Sequence, residues 1–126
     1  MKMIARTQVP VTALLGRDLN KAVGKDGFDA SRKMTVGWAR YSKKSGVMEP
    51  HQHAEELLYI LDAKDAWIRF GRAKDELGER VPFIPGTMIH FPEMEWHVFE
   101  YTEDGYADLI FFYGQVDNIR PEDSKN

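Results

Sequence analysis

The sequence contains no cysteine. That excludes disulfide staples, thiolate metal sites and a cysteine nucleophile, so site chemistry must come from nitrogen and oxygen groups. No apolar run approaches the roughly 18 residues that a membrane-crossing helix needs, and no charged stretch followed by an apolar core opens the chain. The expectation is a soluble, cytoplasmic protein with no membrane partner. No basic stripe is present. The net charge is −3 and the two signs are interspersed, so no nucleic-acid partner is expected. A glycine-rich phosphate loop, a Gly-x-Ser-x-Gly elbow, internal repeats and heptads are missing as well, which removes the common nucleotide-binding, serine-hydrolase, solenoid and coiled-coil readings.

What remains is a 126-residue chain of one domain's length, long enough to bury roughly two thirds of its unfolded surface without a staple. Short segments rich in β-branched and aromatic residues cover positions 35–41, 57–61, 66–71, 81–84, 87–91, 97–101 and 107–113. Polar turns separate them, among them residues 42–46, 62–65 and 102–105. Turn signals at this spacing predict an all-β sandwich or barrel. Residues 1–24 are less regular. Leu15, Leu19 and Val23 have the i, i+4, i+8 spacing of a short amphipathic helix, but Gly16 and Gly24 weaken it, and an arm or irregular strand fits as well. The expected organisation is an irregular N-terminal arm over residues 1–30, a β-barrel over 31–116 and a frayed polar tail over 117–126.

Chemistry is concentrated in residues 49–61. His51 and His53 stand two apart at the start of an apolar run, and side chains two apart on an extended strand share a face. Two imidazoles so placed can close on one ion. Glu55 and Glu56 follow. Strict alternation selects Glu55 for the histidine face, while Glu56 reaches it only if the chain bends or bulges at Ala54-Glu55. His97 opens another strand about forty residues later. His90 follows the strand at 87–89 and reads as a packing or supporting residue.

These residues resemble the two motifs of the cupins, small jelly-roll proteins built as a double-stranded β-helix. The first motif, G-x5-H-x-H-x3,4-E-x6-G, is matched by Gly46-x4-His51-x-His53-x2-Glu56-x6-Ala63. The second, G-x5-P-x-G-x2-H-x3-N, is matched by Gly86-x5-Pro92-x-Met94-x2-His97-x3-Tyr101. The first is slightly short on either side of the histidines. Ala63, Met94 and Tyr101 replace two glycines and an asparagine, while every ligand type is retained. The resemblance implies a cupin barrel with His51, His53, Glu56 and His97 as ligands of one divalent transition metal (Fe, Mn, Ni, Co or Zn). It also favours Glu56 over Glu55.

Further expectations follow. Phe99 and Tyr101 alternate onto the face of His97, so Phe99 is expected to wall a pocket and Tyr101 to act as a catalytic phenol. Trp38 and Arg40 are expected to face them from a neighbouring strand as substrate-binding residues. The implied function is a mononuclear metalloenzyme of dioxygenase, isomerase, lyase or decarboxylase type, acting on a small polar or anionic molecule. The competing readings are a non-catalytic small-ligand-binding module and a metal-free sugar epimerase using His51 and Tyr101. A homodimer is expected from the habit of the cupins and from residues 4–19, which have no evident place in one barrel and suit strand addition to a second chain.

Overall fold

The computed structural model describes residues 1–120. It is built from seven antiparallel strands: β1 (Thr12–Leu14), β2 (Arg17–Val23), β3 (Thr35–Ser42), β4 (Glu56–Gly71), β5 (Val81–Pro82), β6 (Met88–Phe91) and β7 (Trp96–Tyr113). The sheet order is β1-β2-β3-β7-β4-β5, with β6 paired to β4. The expected frayed tail lies outside the described residues from position 121 onward.

The long pair β4–β7 carries the fold. Pairing begins at Glu56↔Tyr113 and ends at Gly71↔Trp96. Residues 62–65 and 102–105, expected as turns, instead stay within continuous strands. Pairing shifts register past Ile60, then passes from Lys64↔Tyr106 to Ala66↔Tyr101. Asp65 takes a left-handed φ of 46° at this corner. Irregularities of this kind bend a strand sharply, so each long strand contributes to both halves of the barrel. Gly105 is required here, because a Cβ would collide with the Asp65 carbonyl.

One apolar core joins the halves. It contains Ala39, Tyr41, Leu58, Ile60, Leu109 and Phe111 from one side and Ala66, Ile68, Phe83, Val98, Phe99 and Tyr101 from the other. The inner face of β3 is the reverse of that expected. Thr35, Gly37, Ala39 and Tyr41 are buried, whereas Arg40 is exposed and Val36, Trp38 and Ser42 are only partly covered. The small residues are inside because the opposing side chains are large: a Cβ on Gly37 would lie 2.9 Å from the Phe111 ring and would strike the Asn20 carbonyl.

The N-terminal segment is not helical over residues 15–23. It forms the β1–β2 hairpin, turned through Gly16 at φ 84°, and β2 pairs with β3 from Arg17↔Tyr41 onward. Ahead of the hairpin, Arg6 donates two bonds of 2.9 Å to the Asp108 carboxylate, and Asn20 Nδ2 donates to the Val9 carbonyl at 3.0 Å. Residues 4–19 therefore have a place on their own barrel. Among the described residues, no helix is long and apolar enough to cross a membrane.

Candidate metal centre

Three backbone features bring His51, His53 and His97 together. His51 and His97 exchange both N–H···O bonds, each 2.9 Å, as an isolated antiparallel bridge ahead of β4. Such a pair holds two side chains on the same face. The His53 carbonyl accepts from the Met94 N–H at 2.8 Å, which ties the loop before β4 to the turn between β6 and β7. Met94 occupies the glycine position of the second motif and still adopts φ 63°, so the turn keeps its glycine-like backbone with a side chain in place. The chain then bends at Ala54 and enters β4 at Glu56.

That bend turns one of the two carboxylates inward and the other outward. Glu56 is 3% exposed and its Oε1 lies 3.3 Å from His53 Nε2. Glu55 points outward and pairs with His90 at 2.6 Å, with both side chains more than half exposed. His90 is thus an outer-surface partner of Glu55 rather than a support for the histidine group.

The imidazoles are polarised consistently. Each Nδ1 faces a backbone carbonyl: Glu49 O at 3.1 Å from His51, Ala54 O at 2.7 Å from His53 and Glu95 O at 2.9 Å from His97. A carbonyl only accepts, so each Nδ1 carries the proton, and a neutral ring then presents a lone pair on Nε2. Burial is the main cause that pushes both His51 and His97 down to about 3. Arg120 adds to it for His51, and for His97 so does the repulsion that would arise if neighbouring imidazoles were protonated together. The two rings are therefore neutral at pH 7. One ligand nitrogen from each of the three histidines lies within 4.8 Å of the others. His97 Nε2 is buried and has no hydrogen-bond partner among the described residues.

Aromatic rings close the site. Phe91 stacks on His97 at a centroid distance of 4.2 Å, and Tyr113 meets His53 edge-on at 5.2 Å. The Tyr113 hydroxyl donates to Glu56, and burial together with that carboxylate raises Tyr113 well above the usual phenol range. Burial first, then Glu56, raises Tyr41 likewise. Neither Phe91 nor Tyr113 was expected at the site. Tyr113 shares the parity of Leu109 and Phe111, which was the available signal, but its pairing with Glu56 across the sheet is not visible in the sequence.

The other expected site residues do not converge here. Tyr101 lies four residues beyond His97, roughly 13 Å along the strand. Its hydroxyl donates to the carbonyls of Gly16 at 3.2 Å and Gly46 at 3.4 Å, so its phenol serves the backbone, and the His51–Tyr101 pair of a metal-free epimerase is not assembled. Phe99 is on the histidine face but is consumed by packing against Tyr41 and Phe83. Trp38 and Arg40 lie on the outer side of β3. Arg40 stands 4.2 Å above the Tyr106 ring and 3.7 Å from Asp108.

Two adjoining clefts open beside the centre. One, of about 430 Å³, is walled by Met48, Pro50 and His51. The other, of about 180 Å³, reaches Tyr41, Glu56 and Tyr113. Leu14, Arg17 and Arg120 line both.

No protein-family model matches the sequence, and no curated protein does. Solved structures do match. A protein from Planctomyces limnophilus superposes with a TM-score of 0.73 at 17% identity, covering 95% of this chain and 94% of that one. Fe(II)-HppE with the alternative substrate (S)-1-HPP gives 0.65 at 12% identity, over 90% of this chain and 60% of HppE. The polyketide cyclase RemF from Streptomyces resistomycificus gives 0.63 at 21% identity, over 89% and 78%. The chain has the cupin fold. In this fold the three-histidine group can hold a metal ion. The donors fit: the Nε2 lone pairs are freed by the carbonyl bonds to Nδ1, and the buried orphan on His97 lacks any other partner among the described residues.

Proposed function

We propose that this cupin is a mononuclear metalloenzyme acting on a small polar molecule, with His51, His53, His97 and Glu56 as the metal ligands. The observation that carries the proposal is His97 Nε2, a buried lone pair with no partner among the described residues. An unmet buried polar atom is costly, and a cation at that point would satisfy it. The 3.3 Å approach of Glu56 to His53 Nε2 supports the same reading, because a lone pair facing a carboxylate is stabilised by a positive charge beside them.

A divalent ion there supplies Lewis-acid polarisation of a bound oxygen or activation of dioxygen. The chain's own residues do the rest. The carbonyls of Glu49, Ala54 and Glu95 fix the tautomer and aim of each ring. Tyr113 holds Glu56 in place, and Phe91 keeps water from His97. The Fe(II) form of the structural neighbour HppE supports a redox-capable metal among the candidates. The reaction belongs to the dioxygenase, isomerase, lyase or decarboxylase types.

The test is elemental analysis of protein purified without a histidine tag, followed by turnover assays with that metal on keto and hydroxy acids. We expect one divalent ion per chain, and His53→Ala should lower the metal content at least tenfold while the far-ultraviolet spectrum stays unchanged. Wild-type metal stoichiometry in His53→Ala would refute the ligand set.

A further inference from the structure

Arg40, the cation expected to meet an anionic substrate, is on the wrong side of β3. Another arginine has the right position. Arg17 opens β2 directly after the Gly16 turn, and its pairing with Tyr41 sets it on the inward-facing register at the barrel mouth. It is only partly exposed and lines both clefts. Among the described residues, its only hydrogen bond is from Nη1 to the Leu15 carbonyl, at 3.3 Å. Among the described residues no carboxylate lies within 4.0 Å of it. By contrast, Arg6 and Arg40 pair with Asp108, and Arg69 and Arg80 pair with Glu100. A half-covered guanidinium with one neutral contact leaves several fixed donors directed at a concave surface.

Arg120 lines the same two clefts from the C-terminal side of the described chain. The positive charge of Arg17 or Arg120 acts on Tyr41, His51, Tyr101 and Tyr113, which places the two cations around the centre rather than on the outer surface. Lys21 adds a third positive group to the inner cleft. Among the described residues, the acidic groups lining the two clefts are Glu56, which Tyr113 engages, and Glu49, an exposed residue 4.0 Å from Lys74. Among the described residues, Arg17 therefore meets no carboxylate partner at the mouth, where His51 lines the same cleft.

We propose that Arg17 is the anion-recognition site of this cleft and selects substrates bearing a carboxylate or phosphonate group. The inference rests on the metalloenzyme reading for the word substrate, but not for the binding event. The guanidinium fork binds the oxyanion in a bidentate manner, with a second oxygen of the same small molecule left to face His51.

The experiment titrates glycolate and methylphosphonate, with ethylene glycol as a neutral control, into chelator-treated and zinc-loaded protein, following the arginine Nε–H signals by nuclear magnetic resonance. The variants are Arg17→Gln and, as an outer-surface control, Arg40→Gln. We expect both anions, or one of the two, to bind wild type and Arg40→Gln, with little response to ethylene glycol. Arg17→Gln should weaken binding about tenfold or more in both metal states, with unchanged zinc stoichiometry. Preference for one anion identifies which oxyanion the site takes. Binding that persists without metal, and is weakened by Arg17→Gln, supports the site even if no metal is ever found. Equal affinity in wild type and Arg17→Gln, or no binding of either anion to wild type, overturns it.

Discussion

Two tyrosines illustrate how a side chain's role depends on its partner. Tyr113 and Tyr101 are both on β7, and both hydroxyls donate hydrogen bonds, but one bonds Glu56 and the other bonds two backbone carbonyls. Removing a group that steadies a metal ligand typically costs 10–100-fold in metal affinity. Tyr113→Phe should therefore weaken metal binding by about tenfold or more with little change in stability. Tyr101→Phe should leave metal affinity unchanged and cost about 1 kcal/mol of unfolding free energy. Competition with a fluorescent zinc chelator, together with urea denaturation, separates the two; equal effects on metal affinity would contradict the assignment. His51, His53 and His97 were legible in the sequence because the motif spacing is local. The choice of Glu56 over Glu55 came from resemblance, against simple alternation, and the bend at Ala54 supplies the physical reason that Glu56 turns inward. Tyr113, Phe91 and Arg17 were not legible, since each reaches the site through a strand pairing or a turn that no local pattern encodes.

Among the elements, β3 and the β4–β7 corner mark where pattern reading succeeds and where it fails. The strands at 35–41, 87–91 and 107–113 were evident from their β-branched and aromatic content. The inner face of β3 was not, because Gly37 and Ala39 are there to make room for Phe111 and its neighbours, whereas the expectation placed the larger Trp38 and Arg40 inside. The polar residues 62–65 and 102–105 read as turns because they carry turn chemistry. They spend it on bending two long strands instead of reversing them. Gly105 is the critical contact at that bend, since a side chain would press on the Asp65 carbonyl. Gly105→Ala should destabilise the protein by about 2–4 kcal/mol, measured by urea denaturation, whereas Gly114→Ala, where an added Cβ meets nothing within 4 Å, should have a small effect.

The whole molecule responds to acid through its centre. His51 and His97 titrate near 3 in the fold and near 6.5 when unfolded. Between those values the unfolded chain binds protons that the fold refuses, so stability rises with pH across this window and is fully present above about 6.5. Chelator-treated protein should therefore lose stability as pH drops from 6.5 toward 5, and His97→Gln should show a shallower slope; parallel slopes would contradict the neutral, buried state of His97. A different consequence follows from the paired peptide bonds of His51 and His97. The residues between His51 and β4 form no regular strand, and loops ordinarily open on their own, long before the fold does. Here the loop is latched to the first residues of β7 by two bonds across one ring of atoms, so it can open only when that end of the barrel opens. The amide hydrogens of His51 and His97 should therefore exchange with deuterated solvent as slowly as those of Leu58 and Leu109 in the core, with or without metal. The centre then has the lifetime of the barrel itself, and a metal ion arriving at it meets an already assembled socket.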